Sequence, residues 1–338
     1  MLTRHLGWAC DELGARGAMA YRCAILDDYQ NVALSLADWS KVKGEIEVQV
    51  FNQSLGDLEA VARALQGFPI VCAMRERTPF PHRLLELLPD LKLLISTGMR
   101  NAAIDLAAAK ERKVVVCGTP TAGNPTAGIA VGLMLELTRR IGYENARLKG
   151  GAPWQTTIGR DLEGLTLGIL GLGKLGQRVA GIAKAFGMKT LAWSQNLTPE
   201  KCRDAGVEYA AKDELFRQAD IITIHLQLSP RTRGLIGANE LGLMKPTAYL
   251  INTSRGPIME EAALLSALRG KRIAGAGLDV FDVEPLPLDH PLRKLDNVVL
   301  TPHLGYVSEQ NYRAYFAGMV DDIRAWLDGK PVRVMNAE

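Results

Sequence analysis

The sequence predicts an α/β protein built from two doubly wound parallel-sheet domains, and three observations carry that reading. Short apolar, β-branched runs alternate with helix-patterned segments from Cys23 to Leu300. These runs are apolar on both faces, as strands covered by helices on each side must be. A length of 338 residues exceeds what one compact core usually holds. Hydrophobic residues make up 47% and charged residues 23% of the chain, so no long disordered tract is expected.

The first strand series is Cys23 to Leu26, Glu47 to Phe51, Ile70 to Ala73, Leu91 to Ile95 and Val114 to Cys117. A turn-rich stretch, Gly118 to Pro125, then marks a hinge, and a long helix is expected from Thr126 to Arg147. The second series is Leu167 to Leu170, Thr190 to Trp193, Ile221 to His225, Tyr249 to Asn252, Ile273 to Leu278 and Val298 to Leu300. A helical segment, Ser308 to Leu327, follows with no further strand. This gives a first domain over residues 1–119, a second over 120–304, and a C-terminal helix over 305–338 that returns to the first. Residues 1–18 lack the apolar core of a signal peptide and read as an extension, with Met19 an alternative start.

Composition excludes several function classes. Lysine and arginine exceed aspartate and glutamate by only three, with no dense basic block, which argues against nucleic acid or a membrane surface as partner. No apolar run approaches the roughly 20 residues needed to cross a bilayer. The five cysteines, Cys10, Cys23, Cys72, Cys117 and Cys202, are scattered and odd in number, as expected of buried thiols in a reducing cytoplasm. The histidines show no ligand spacing among themselves or with cysteine, so no metal is expected, and no GxSxG elbow marks a serine nucleophile.

Chemistry concentrates in the second domain. In the stretch from Thr166 to Gly176 an apolar strand runs into Gly171-Leu-Gly173-Lys174-Leu175-Gly176 and then into a helix with Leu175, Val179, Ile182, Ala183 and Phe186 on one face. Gly171 allows a tight turn, Gly173 lets backbone N–H groups approach a pyrophosphate, and Gly176 permits close helix packing. In this context the motif predicts a dinucleotide. The end of the next strand, where an acid would select NAD over NADP, holds Ser194, Gln195 and Asn196. Neither repulsion nor attraction of a 2′-phosphate is encoded there, so NAD is the default and NADP use is expected as well.

Three residues follow predicted strands at the carboxyl ends where open α/β sheets bind ligands: Arg255, Glu284 and His303. A guanidinium can grip a carboxylate with two hydrogen bonds and polarise an adjacent carbonyl. A carboxylate beside an imidazole favours the protonated ring, which can donate a proton to a carbonyl oxygen and take it back. Taken singly, each residue has a commoner structural explanation; their joint placement behind a dinucleotide cradle makes them a catalytic set.

With these motifs in hand, the chain resembles the D-isomer-specific 2-hydroxyacid dehydrogenase family, which includes phosphoglycerate dehydrogenases and glyoxylate or hydroxypyruvate reductases. The resemblance runs from Ala24 to Leu327 and is densest in LEGLTLGILGLGKLG, INTSRGPIMEEAALLSAL, AGAGLDVFDVEP and NVVLTPHLG. It implies a Rossmann NAD(P)-binding domain inserted into a flavodoxin-like substrate domain, a cleft between them, and a homodimer joined through the nucleotide domain and its long helix. It further implies that Arg255 binds substrate, His303 is the acid/base and Glu284 tunes it. The implied cofactor set is Gly171, Gly173, Lys174, Leu175, Gly176, Ser194, Gln195, Thr253, Asp279, His303 and Gly305, with Asp279 at the nicotinamide end. The partner is then a small 2-oxo or 2-hydroxy acid.

The chain departs from that pattern in three places. Where members carry a glycine-rich loop whose N–H groups hold the substrate carboxylate, it reads Thr97-Gly98-Met99-Arg100-Asn101. Arg100, with Arg75 and Arg77, would add positive charge to a pocket also lined by Gly98 and Met99, which suggests a phosphorylated or dicarboxylic substrate. Gly128-Ile129 replaces an acid and a histidine, and Gln227 replaces a proline. Two other functions are compatible with the motifs: a dinucleotide-sensing binding protein like the C-terminal-binding-protein corepressors, and a formate dehydrogenase. The Glu284 and His303 pairing speaks against the second, and the lack of a long interaction tail against the first.

Overall fold

The computed structural model describes residues 20–337; the expectations about residues 1–18, Met19 and Cys10 lie outside them. The chain divides into two compact units. One comprises the described residues of Met1–Gly123 and Glu309–Glu338, and the other is Asn124–Ser308.

In the first unit β1 (Tyr21–Ile25), β2 (Ile46–Val50), β3 (Ile70–Ala73), β4 (Leu93–Ser96) and β5 (Val115–Gly118) form a parallel sheet in the order β2-β1-β3-β4-β5. That is the doubly wound flavodoxin order. Helices α1 (Leu58–Ala64), α2 (His82–Glu86) and α3 (Leu106–Glu111) connect the strands. Their Val61, Leu84, Leu85 and Ala109 bury with Ala24, Val71, Leu94 and Val116 of the sheet. The alternate strand residues Cys23, Ile25, Cys72 and Ile95 are equally buried, because the last helix of the chain, Glu309–Leu327, packs against β4.

After that helix the tail pairs with β5. Val334 bridges Cys117 in antiparallel sense. Met335 N–H donates to Val116 O at 2.7 Å and Gly118 N–H to Arg333 O at 3.1 Å. The Asn336 amide spans two further backbone groups, accepting from Val116 N and donating to Val114 O. Beneath the tail, Arg333 Nη2 lies 2.8 Å from Asp322 Oδ1, a carboxylate with no exposed surface.

The second unit opens with α4 (Pro125–Arg139) and α5 (Ile141–Lys149). The single helix expected over Thr126 to Arg147 is therefore two. Arg140 takes the left-handed conformation, φ +52°, and Glu136 Oε2 accepts the Gly142 N–H at 2.7 Å, capping a new helix start. The strands β6 (Thr166–Leu170), β7 (Lys189–Trp193), β8 (Glu208–Tyr209), β9 (Ile221–Ile224), β10 (Tyr249–Asn252), β11 (Gly275–Leu278) and β12 (Val298–Leu300) are joined by α6 (Lys174–Ala185), α7 (Pro199–Asp204), α8 (Lys212–Gln218), α9 (Ala238–Leu243) and α10 (Glu261–Arg269); Glu309–Leu327 is then α11.

All seven strands are parallel, in the order β12-β11-β10-β9-β6-β7-β8. This is a Rossmann sheet extended by one strand, with its reversal of order at β6 and β9. One core packs Ala130, Leu133, Val179 and Ala183 of α4 and α6 on the sheet. The other packs Leu215, Phe216, Leu241, Leu264 and Leu268 of α8, α9 and α10 on the opposite face. Sequence patterning missed β8, a two-residue edge strand exposed on both residues, which has no apolar run to reveal it. Phe186, assigned to the buried face of α6, instead follows the helix end and is 41% exposed. Among the described residues no helix is long and apolar enough to cross a membrane.

Burial pushes the Asp322 carboxyl up to about 7, against the pull of Arg333. A carboxyl raised in the folded state stabilises the fold below its unfolded value, and that contribution is lost as pH rises through the folded value. The Tm of the wild type minus that of Asp322→Asn is therefore expected to fall between about pH 4 and about pH 7 in thermal melts; a difference independent of pH would contradict the assignment.

Candidate active site

Parallel strands deliver their carboxyl ends to one edge of a sheet, and β10, β11 and β12 are neighbours in that order. The three loops that leave them carry Arg255, Glu284 and His303. The structure brings the last two into direct contact. His303 Nδ1 lies 2.6 Å from Glu284 Oε2, and Glu284 Oε1 accepts the Phe281 N–H at 2.9 Å. With both carboxylate oxygens engaged, the imidazole is held by Nδ1. Both side chains are partly open, at 18% for His303 and 32% for Glu284. The Tyr306 ring packs edge-on against the imidazole at 5.3 Å.

His303 itself sits in a left-handed backbone conformation, φ +52° and ψ 52°. For a residue with a Cβ this costs on the order of 1–2 kcal/mol. Asp279 offsets it. Its carboxylate accepts from Thr301 Oγ1 at 2.6 Å, Leu304 N at 2.7 Å and Gly305 N at 2.7 Å, gripping the chain on either side of His303. Hydrogen bonds to a charged acceptor contribute roughly 1.5–3 kcal/mol each, so together they outweigh the strain. Burial pushes the Asp279 carboxyl up, while the three hydrogen bonds and nearby His303 pull it down. The residue has no exposed surface. Asp279, expected at the nicotinamide end, clamps the His303 loop. Gly305 is structural as well: its N–H goes to Asp279 and its carbonyl accepts from Thr126 Oγ1 at 2.7 Å.

Arg255 is set by the buried amide of Asn252, which donates to Arg255 O at 2.9 Å and accepts from Ser254 N at 2.9 Å. The Ser254 hydroxyl donates to Ile224 O at the end of β9. Arg255 Nη1 turns back to Ser254 O at 2.6 Å. The next residue, Gly256, lies so close to the Glu284 loop that a Cβ there would overlap the Phe281 carbonyl. This contact ties the arginine loop to the backbone that holds Glu284.

The glycine turn after β6 is shaped as a cradle. Gly171 has φ +100°, and a Cβ on Gly176 would overlap the Gly171 carbonyl oxygen, so helix and turn pack backbone to backbone. A Cβ on Gly173 would meet nothing within 4 Å. No side chain caps the start of α6, which leaves Lys174 and Leu175 in a first turn whose N–H groups and partial positive charge face open space. At the end of β10, the buried Thr253 hydroxyl has no hydrogen-bond partner among the described residues. An open uncapped helix start and an orphaned hydroxyl at one sheet edge fit a dinucleotide. At the end of β7, Ser194 is half-buried and the exposed Gln195 donates to Arg231 O at 3.4 Å. His225, at the end of β9, is pushed down to about 4 by burial and is neutral at ordinary pH.

The other residues singled out from the sequence belong to the first unit, at the carboxyl ends of β3 and β4. Arg75 is left-handed, φ +52°. Its Nη1 donates to Thr97 O at 2.9 Å, its Nη2 lies 3.6 Å from Glu76 Oε1, and its carbonyl accepts from the Asn101 amide. Arg75, expected to touch substrate, is thus engaged in bracing the loop beside it. Gly98 N–H donates to Thr119 Oγ1 at 3.0 Å. The N–H groups of Met99 and Arg100 donate to no acceptor among the described residues. Met99 is 48% exposed and Arg100 is exposed too.

Sequence reasoning missed Asn252, Tyr306 and the clamping role of Asp279. The usable signals were a polar residue closing an otherwise apolar strand and an aromatic three positions after the histidine. No group of three or more potential metal ligands occurs among the described residues.

The family model described as "D-isomer specific 2-hydroxyacid dehydrogenase, NAD binding domain" matches residues 131–305. A hydroxypyruvate reductase of Blautia hydrogenotrophica is 32% identical over 315 residues, covering 88% of this chain and 95% of that protein. A phosphoglycerate oxidoreductase structure from Vibrio cholerae superposes with a TM-score of 0.87 at 36% identity, covering 91% of this chain and 99% of that one. The apo structure of Escherichia coli D-lactate dehydrogenase gives a TM-score of 0.78 at 25% identity, covering 91% and 98%.

Replacing Asp279 by Asn puts an amide donor against one of three donors. The variant is expected to lose about 10- to 100-fold in kcat and a few degrees in Tm while binding NADH as the wild type does in fluorescence titration. Loss of NADH affinity with an unchanged kcat would return Asp279 to the nicotinamide.

Proposed function

Since the chain belongs to the D-isomer specific 2-hydroxyacid dehydrogenase family, we propose that His303, held by Glu284, is the acid/base of hydride transfer at C2 of a short 2-oxo acid, with Arg255 gripping its carboxylate. The protein is an NAD-dependent oxidoreductase acting on a hydroxy-acid CH–OH group. The observation that carries the acid/base assignment is the 2.6 Å contact between His303 Nδ1 and Glu284 Oε2.

NADH, when bound, supplies the hydride. The protein supplies everything else. Arg255 orients the acid by its carboxylate and polarises the carbonyl. His303 donates its Nε2 proton to the carbonyl oxygen as negative charge builds there, and Glu284 stabilises the imidazolium before that transfer and fixes the ring. In the oxidative direction the same nitrogen removes the hydroxyl proton. Formate oxidation has no carbonyl to protonate and leaves this pair without a task. In the first unit, the Met99 and Arg100 N–H groups are read as a receptor for a carboxylate, in place of the glycine-rich loop that the family resemblance implies.

The substrate read from these residues is an unphosphorylated acid of hydroxypyruvate or glyoxylate size. Arg75 is bound to Thr97 and Glu76, and Arg77 donates to Asp27 O while stacking on Tyr29. A phosphorylated or dicarboxylic acid is the second reading, favoured by the exposed Arg100 alone. NAD is the working cofactor, and NADPH is also accepted, because Ser194, Gln195 and Asn196 include no acid to repel a 2′-phosphate.

A dimer is read from residues 141–158. No residue of α5 is buried, and Ile141, Leu148, Trp154 and Ile158 stand 57%, 57%, 69% and 101% exposed. Glu144 holds this segment in shape by accepting from Thr156 and Thr157. Apolar surface of this extent on a shaped arm fits a second copy of the chain.

Turnover of hydroxypyruvate, glyoxylate and phosphohydroxypyruvate with NADH and NADPH tests the reading. The first two are expected to give the higher kcat/KM, His303→Gln to lower kcat by roughly 10²- to 10⁴-fold, and Arg100→Ala to raise KM only for the phosphorylated acid. No turnover with any of them, or an unimpaired His303→Gln, overturns it. In sedimentation, the wild type is expected as a dimer and the double variant Trp154→Glu, Ile158→Asp as a monomer; a monomeric wild type removes the assembly reading.

A further inference from the structure

Three pieces of the first unit converge on Gly118, the last residue of β5. A Cβ built there would lie 2.8 Å from Gly98 O, 2.9 Å from Met335 Sδ and 3.0 Å from Met99 Cα. The Met335 thioether and the peptide that offers the Met99 N–H thus both crowd the Cα of Gly118. Met335 is held in register on both sides. Its own N–H bonds to Val116 O, Asn336 clasps β5 through Val116 N and Val114 O, and Arg333 O takes the Gly118 N–H.

A second route leads to the same loop. Arg333 Nη2 donates to Gly318 O of α11 at 3.1 Å and pairs with Asp322 one turn further on. Gly318 packs so tightly that a Cβ would lie 2.8 Å from Thr119 Cβ and 2.7 Å from Pro120 Cδ. Thr119 is the residue whose hydroxyl accepts the Gly98 N–H. The tail thus bears on the Gly98–Asn101 loop by two routes, through Met335 at Gly118 and through Arg333, Gly318 and Thr119.

We infer that the C-terminal tail is a positioning element for substrate: Met335, latched to β5 by Arg333 and Asn336, sets the position of the Met99 and Arg100 N–H groups that receive the carboxylate. This rests on the reading that the loop is a carboxylate receptor. A flexible, unbranched thioether suits such a place, because it fills an irregular gap without dictating its shape. Packing of this kind acts on ground state and transition state alike, so it changes KM more than kcat.

Steady-state kinetics of the full-length protein test this, with Tm measured in parallel. Met335→Ala is expected to raise KM for the 2-oxo acid by about 3- to 10-fold, with kcat within about twofold and KM for NADH unchanged, and Met335→Leu to restore it. Asn336→Ala is expected to act in the same direction. Met99→Pro, which removes the N–H itself, is the control for the underlying reading. If Met99→Pro leaves KM unchanged, the loop is not the receptor and the reading of the loop fails. If Met99→Pro raises KM and Met335→Ala does not, the loop stands and the tail's role falls. A Met335→Ala variant that loses only Tm and active fraction, at constant KM, is likewise a purely structural outcome and overturns the inference.

Discussion

The hydrogen bonds that converge on Asp279 hold the reacting end of the second unit together. One buried carboxylate takes a hydroxyl and two backbone N–H groups from a five-residue stretch and fixes the strained residue at its centre, His303. Strain in a reactive loop persists only where its surroundings over-determine it, and here the determinant lies inside the sheet edge, away from solvent. Glu284 then acts on a ring whose place is already settled. The ring is thus oriented by a residue other than the carboxylate it pairs with.

The layout follows from the parallel sheet. Three adjacent strands release their chains at one edge, so residues far apart in sequence meet without any long-range loop. Close backbone approach at Gly256 locks the arginine loop to the carboxylate loop, and the uncapped start of α6 offers its N–H groups at the same edge. An orphaned threonine hydroxyl, an open glycine and a helix dipole are each weak features; aligned along one edge they describe an elongated, anionic, hydrogen-bonding ligand.

Much of this was legible in the sequence, for physical reasons. Buried parallel strands must be apolar on both faces, so eleven of the twelve were visible as runs, while the exposed pair Glu208 and Tyr209 was not. Arg255, Glu284 and His303 were legible because each follows such a run. The break at Arg140 was hidden, since left-handed backbone in an arginine leaves no mark and the cap comes from Glu136 within the preceding helix. Asp279 was found as a residue, but its grip on the His303 loop was not legible: nothing local distinguishes a carboxylate facing a cofactor from one buried against its own loop. Met335 carried no signal, because the residues it meets, Val116 and Gly118, are more than 200 positions away in the chain.

The first unit is closed by residues from both ends of the chain, and this has a consequence for biosynthesis. Its five strands leave the ribosome before the second unit, yet the helix that covers one face of their sheet and the tail that pairs with its β5 edge are made only after it. At ordinary rates of translation that face stays bare on the order of 10 s or more, while the whole second unit is made in between. The nucleotide-binding unit can complete its fold before the substrate unit has all its parts. An unpaired strand edge and a bare apolar face are what chaperones recognise and what aggregates nucleate on. The unit begun first is thus completed last, and while it waits it is the vulnerable part of the molecule.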